Sequence, residues 1–333
     1  MTANYVRLII DCDPGNGIPG ADIDDGLALG LALRSPEIDL EAVTVVAGNV
    51  PVERGVECAL EVLEAAGAVQ VPVHRGATRP LVQDPAGWRA RLDDRRDDPL
   101  AQELWRQVAP TGSRLTAHDA PAAHVLVERV NERPGELTVV AVGPLTNVAT
   151  AMLLDPEWAE KVARLVVMGG AFDLPNTLQE LNASYDPEAT HLVFTSSAPL
   201  LLVPLDVTMR TFLRLTDVDR LDAAGTPLAG YLGRTVRPWV EWLGKRFGRD
   251  GCALHDPLAL AAVIYPDVVT TRTACVDIEL RGTLTRGRTV AWDPDDDETL
   301  QSGLHLPQVR AAAIADDVDN DRFMAWLLDR LTS

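Results

Sequence analysis

IIDCDPGNGIPGADIDDGLALGLAL, residues 9–33, opens as a β-branched apolar run, breaks at a Gly/Pro-rich turn and resumes with the dense apolar content of a buried helix. This is the signature of a strand–turn–helix unit, with the strand expected over residues 6–13 and the helix over 24–34. Asp11 and Asp13 fall at the carboxyl end of the strand, and Asp22, Asp24 and Asp25 at the start of the helix. Open α/β sheets bind ligands at the carboxyl ends of their strands, so the five carboxylates stand where a site is expected. Like charges this close repel unless something compensates them, most simply a hard cation with oxygen ligands such as calcium or magnesium. A single Asp here would read as a helix cap. A D-x-D followed across the turn by D-x-D-D points to metal instead.

The same unit repeats. Further strands are expected at residues 40–48, 69–76, 137–143, 164–170 and 199–206, and most are apolar on both faces. Continuous rather than alternating apolarity is what helices on both sides of a parallel sheet require. Helices are expected at 51–66, 119–132, 146–154, 186–195, 227–247, 256–264 and 320–331. Residues 82–117, rich in Asp and Arg, break the pattern and read as a mobile loop or short helical insertion. VDIELRGTLTRGRTVAW (276–292) reads as strands joined by Gly turns, an antiparallel extension at one sheet edge. No linker or fixed-period repeat divides the chain, so one domain spanning 1–333 is expected.

Composition narrows the function. The 333 residues are 47% apolar, enough for one continuous core, and the net charge of −19 argues against a nucleic-acid polymer as partner. No apolar run reaches the roughly 18–20 residues that span a bilayer, and the first residues lack a secretory signal, so no membrane role and a cytoplasmic location are expected. Cys12, Cys58, Cys252 and Cys275 form no C-x-x-C pair and read as small buried hydrophobes.

Three other segments carry chemistry. His255-Asp256 precedes an apolar helix, pairing a side chain suited to proton exchange near neutrality with a potential cation ligand. Val142 to Asn147 again ends a strand and begins a helix, with a Gly-Pro turn that exposes carbonyls. After a Gly pair at 169–170, Asn176, Glu180 and Asn182 suit a ligand rich in hydroxyls. Two D-x-D-x-D runs, at Asp293, Asp295, Asp297 and at Asp317, Asp319, Asp321, lack the Gly and Glu of an EF-hand and read as loop acidity and the cap of the last helix. His74, His118, His124, His191 and His305 read as structural. Neither a P-loop nor a G-x-G-x-x-G is present.

Taken in order, DCDPG with DIDD, VVAGN ending in Asn49, GATRPL (76–81), GPLTN, VVMGG, the Asn/Glu/Asn loop, DPEA (186–189), LDVT (205–208), HDPLAL and TRG resemble the inosine-uridine-preferring nucleoside hydrolase family. The resemblance implies a single α/β domain, an open, mostly parallel sheet of Rossmann-like topology. It implies hydrolysis of ribonucleosides to base and ribose. Asp13, Asp25, the Thr146 backbone carbonyl and Asp256 would hold Ca²⁺, with Asp11 supporting that shell. Asp13 would be the general base, His255 the leaving-group acid, and Asp24, Asn49, Asn176, Glu180 and Asn182 the ribose grip. A homo-oligomer, dimer or tetramer, is expected with a small-molecule nucleoside as ligand.

Two features depart from the family pattern. The NGIPGA turn lengthens the usual D-x-D-P-G-x-D-D, so Asp24 and Asp25 align only if it loops out, with Asp22 as the spare candidate. The segment after Leu81, Val82-Gln83-Asp84-Pro85, lacks a His that many members carry. Trp88, Trp239 and Trp242 could stack on a base or simply pack. The rivals are a haloacid dehalogenase-like phosphohydrolase, which needs a Lys where only Lys161 and Lys245 exist, and a non-catalytic nucleoside- or sugar-binding protein of the same fold.

Overall fold

A computed structural model describes residues 5–108, 112–293 and 310–333. Its centre is a nine-stranded sheet of β1 (Val6–Cys12), β2 (Ile38–Val45), β3 (Val73–Arg75), β4 (Leu137–Ala141), β5 (Arg164–Met168), β6 (Leu200–Val203), β7 (Val269–Ile278), β8 (Thr289–Trp292) and β9 (Ala312–Val318). The spatial order is β3-β2-β1-β4-β5-β6-β9-β7-β8. From β3 to β9 every pairing is parallel, whereas β7 and β8 run antiparallel, forming the edge extension expected from the Gly-turn segment. The strand order reverses between β1 and β4. That switch point opens a crevice at the carboxyl ends of the strands.

Both faces of the sheet are covered. On one side, helices Asp24–Leu33, Val52–Ala66, Pro227–Phe247, Asp256–Ile264 and Asn320–Thr332 share a core with Leu8, Ile10, Val43, Val45 and Val140. On the other, Ala122–Glu132, Thr146–Leu154, Trp158–Lys161 and Pro187–Phe194 close over Ile9, Val139, Leu165 and Val167. Neighbouring residues such as Leu8 and Ile9 therefore face opposite cores, which is why the strands carry no polar alternation. Trp158, fully buried, is tied down by its indole N–H to the Leu126 carbonyl at 2.9 Å. All four cysteines are buried.

Of the two readings of residues 82–117, the described residues follow the helical one. They form helices Ala86–Arg96 and Pro99–Leu104, anchored by buried Leu92, Ala101 and Trp105. The lengthened turn after β1 is also built. Ile18 and Ala21 enter a small apolar cluster with Val50 and Cys58, and Gly20 (φ 69°) packs so tightly that a Cβ would lie 2.4 Å from the Arg95 carbonyl. The insertion and helix Ala86–Arg96 thus brace each other. Asp295, Asp297 and His305 lie outside the described residues. Among the described residues no helix is long and apolar enough to cross a membrane.

Candidate active site

Every strand that borders the crevice contributes. Asp11, at the end of β1, is buried, and its Oδ1 accepts from the Thr44 hydroxyl (2.6 Å) and the Asn147 amide (2.7 Å). Among the described residues its Oδ2 has no partner. Two residues on, Asp13 Oδ2 accepts from the Asn49 backbone N–H at 2.6 Å, while Oδ1 is buried and, among the described residues, unpartnered. The Asp13 backbone N–H donates to Asp25 Oδ1 at 2.9 Å, and the Asn49 side chain donates to Asp25 Oδ2 at 3.3 Å. Glycine is required around this carboxylate: a Cβ on Gly48 would stand 2.0 Å, and one on Gly143 2.7 Å, from Asp13 oxygens.

Asp24 locks two segments together. Its Oδ2 accepts the backbone N–H groups of His255 (2.7 Å) and Asp256 (3.0 Å), joining the first helix to helix Asp256–Ile264. One ligating oxygen each from Asp24, Asp25 and Asp256 lie within 4.8 Å of one another, and all three residues are buried. NGIPGA therefore does loop out, leaving Asp24 and Asp25 in the cluster and Asp22 at its rim. Burial first, and then repulsion among the neighbours, pushes the Asp13, Asp25 and Asp256 carboxyls well above the usual carboxylate range. Burial also lifts Asp11 to about 7 despite the Asn147 and Thr44 hydrogen bonds. Carboxylates held out of water, close together and with oxygens left unbonded, are a donor set suited to a hard cation.

A cavity of about 340 Å³ opens over this cluster, lined by Asp22, Asp24, Asn49, Val142, Glu180, Asn182, His255 and Asp256. Glu180 caps the helix Leu181–Tyr185, accepting from the N–H groups of Gly170 (2.9 Å), Asn182 (2.7 Å) and Ala183 (2.8 Å). The Asn182 amide donates to the carbonyls of Val142 (2.7 Å) and Met168 (3.2 Å), so its carbonyl oxygen has no strand partner. His255 Nδ1 lies 2.7 Å from the Thr208 hydroxyl, leaving Nε2 as the nitrogen available to a ligand. Burial lowers the His255 pKa, and the Asp22 and Glu180 carboxylates oppose that shift.

Two sequence-predicted residues fall elsewhere. Thr146 is the first residue of helix Thr146–Leu154; its carbonyl accepts from the Thr150 hydroxyl at 2.6 Å and points along the helix, away from the sheet's rim, while its own hydroxyl donates to Asp186 at 2.7 Å. The carbonyl that reaches the cavity from this segment is that of Val142, at the end of β4. Asn176 sits exposed on the loop before Glu180, with φ of 61°, and does not line the cavity.

Residues 8–325 match the sequence family described as inosine-uridine preferring nucleoside hydrolase. The chain belongs to that family. It is a nucleoside hydrolase. It is 32% identical over 332 residues to the pyrimidine-specific ribonucleoside hydrolase RihA of Citrobacter koseri, covering 97% of each chain. Among solved structures it resembles the plant nucleoside hydrolase PpNRh1 enzyme, with a TM-score of 0.83, 30% identity and coverage of 98% and 99%. A purine-preferring ribonucleoside hydrolase from Gardnerella vaginalis gives a TM-score of 0.81 at 29% identity, covering 98% of both chains.

Several residues organise this hydrolase's site through contacts that the sequence does not show. Asn147 bridges Asp11 to the loop after β3, where its Oδ1 accepts from the Ala77 N–H at 2.8 Å. Asp186 gathers the Leu81 N–H (2.8 Å), the Thr146 hydroxyl and the Ala189 N–H (3.1 Å). Arg89 grips the Gly48 carbonyl and, at 3.3 Å, that of Asn49. Thr208 and Asn147 stood inside quoted motifs, but only the fold shows what they hold. Of the histidines read as structural, His74 bonds the Ala120 carbonyl at 2.9 Å and His191 bonds Asp277 at 2.6 Å. Asp319 caps the last helix, as expected. Lys161 is engaged by Asp155 and Glu157, so it is not a phosphate ligand of the kind the dehalogenase rival needs.

Proposed function

We propose that this hydrolase cleaves the N-glycosidic bond of ribonucleosides with Asp13 taking a proton from the attacking water and His255 protonating the departing base. The observation that carries the reading is Asp13 Oδ1, a buried carboxylate oxygen without a partner among the described residues, on a residue whose backbone N–H bonds Asp25, which converges with Asp24 and Asp256. Leaving such an atom unbonded is costly unless a ligand or cation completes it. Ca²⁺ fits the donor set, with Asp13, Asp25 and Asp256 as its carboxylates, Asp11 behind them and the Val142 carbonyl in the role first given to Thr146. When bound, the ion supplies positive charge that acidifies water and offsets the clustered carboxylates.

The chain's own groups divide the remaining work. Asn49, Glu180 and Asn182 hold the ribose hydroxyls, and Asp24, with Oδ2 taken by backbone, offers Oδ1 to them. Asp13 accepts the proton as water approaches the anomeric carbon. Carboxylates around the sugar stabilise the positive charge that develops as the bond to the base stretches. His255 donates a proton to the base through Nε2.

Purified protein with added calcium should release reducing sugar and free base from at least one common ribonucleoside, and Asp13→Ala should lose nearly all turnover. Failure of a full nucleoside panel, or wild-type rates in Asp13→Ala, would overturn the assignment.

A further inference from the structure

Beside the carboxylate cavity lies a second one of about 250 Å³ whose lining shares Asp22, Arg95 and His255 with the first. One wall is aromatic. Trp239 and Trp242 stack at 5.3 Å with an interplanar angle of 18°, Phe247 meets Trp242 edge-on at 5.3 Å, and the Trp242 indole is fixed by a 2.9 Å bond to Asp98. Arg95 and Arg249 complete the lining. Among the described residues neither guanidinium takes part in an ion pair or side-chain hydrogen bond, although the chain carries 49 acidic residues against 30 basic ones. Two unpaired guanidinium forks and one carboxylate beside an aromatic wall form a reading surface for a flat, polar-edged ring.

We propose that Arg95, Arg249 and Asp22 determine base specificity and select 6-oxopurine ribonucleosides, guanosine and inosine. This rests on the reading of the first cavity as the ribose site. With ribose over Asn49 and Asn182 and the glycosidic nitrogen toward His255, the base extends into the second cavity. A 6-oxopurine presents O6 and N7 side by side as acceptors, the spacing that a guanidinium fork matches, and it presents N1–H as a donor to a carboxylate. Adenine puts an amino donor where the oxo group would stand, which faces a guanidinium unfavourably. Uracil lacks the fused ring and its adjacent acceptor pair. The stacked indoles accept any base face, so the choice falls to the charged edge.

The test is a kcat/KM panel of guanosine, inosine, adenosine, uridine and p-nitrophenyl riboside with the calcium-loaded protein. Guanosine and inosine should exceed adenosine and uridine by about tenfold or more, the scale of one good bidentate contact. Arg249→Ala and Arg95→Ala should each shrink the guanosine-to-uridine ratio several-fold, and Arg249→Lys should not restore it, because a point charge cannot supply the fork. Both arginines are exposed, so neither change removes a core contact. Cleavage of p-nitrophenyl riboside with adenosine or uridine favoured, or ratios unmoved in the arginine variants, would overturn the specificity assignment alone. No cleavage of any riboside would overturn the hydrolytic site and this inference with it.

Discussion

The Thr208 hydroxyl and His255 Nδ1 lie 2.7 Å apart, and this contact is itself held in place: the Thr211 hydroxyl donates to the carbonyls of Thr208 (2.7 Å) and Leu254 (2.9 Å). A bond to one imidazole nitrogen fixes the ring and decides which nitrogen faces the ligand. Thr208→Val keeps the shape and removes the bond. We expect kcat for nucleosides to fall about tenfold or more, within the range that general acids supply, while p-nitrophenyl riboside, whose leaving group needs little protonation, is far less affected. Equal losses on both substrates would show that Thr208 does not act through His255.

Removing the proposed cation should be visible without any substrate. The carboxylates of Asp13, Asp25 and Asp256 are buried and mutually repulsive, so an ion that binds only the folded chain relieves that strain. Saturation at a hundredfold excess over Kd stabilises by about 2.7 kcal/mol, which for a chain of this size raises Tm by several degrees. Calcium should therefore raise Tm relative to EDTA-treated protein, and Asp256→Asn should abolish most of that increment. Identical melting curves with calcium and EDTA would remove the ion from the site.

What could be read from sequence follows the range of the interactions. β1, its carboxylates and the apolar start of helix Asp256–Ile264 are written in adjacent residues, so strand, turn and cluster were all legible. Helix Ala86–Arg96 was legible only as an alternative to a loop, because it buries little beyond Leu92 and its place depends on Gly20, far away in sequence. Thr146 was misplaced for a related reason: GPLTN marks the turn, but which carbonyl faces the crevice depends on where the helix begins, and it begins at Thr146 itself. Arg89 acts on backbone atoms of another loop, a contact that leaves no pattern in a single chain, and DPEA marks Asp186 without showing that it reaches the Leu81 N–H.

His74 gives the fold a pH-dependent element away from the carboxylates. Burial lowers its pKa below 6.5, with His118 and Arg129 nearby adding to the shift and the Ala120 carbonyl and Glu128 opposing it. Since the folded state binds the proton less readily than the unfolded chain, the neutral imidazole's contribution is fully present above pH of about 6.5 and is lost as pH falls through the lowered folded value. His74→Gln retains a donor for Ala120 without a titrating ring. Between pH 7.5 and 5.5 its unfolding free energy in urea should fall less than that of the wild type. The same decrement in both proteins would mean that His74 does not titrate across folding.

Arg89 links the insertion helix to the loop of Asn49, the residue proposed to contact ribose, and its loss should separate binding from chemistry. Its guanidinium holds the carbonyls of Gly48 and Asn49 and is itself steadied by Asp93 at 2.9 Å, while Asn49 on the same loop bonds both Asp13 and Asp25. Hydrogen bonds to a charged donor contribute about 1.5–3 kcal/mol, less where solvent reaches the group. Arg89→Ala should therefore loosen residues 47–50, raising KM for nucleosides several-fold more than it lowers kcat. Amide exchange in that loop should accelerate in parallel, a change that a loss of surface charge alone would not produce. Arg89→Lys can reach one carbonyl but not both, so it should fall between the two. Unchanged exchange together with an unchanged KM would show that the loop holds its shape without Arg89.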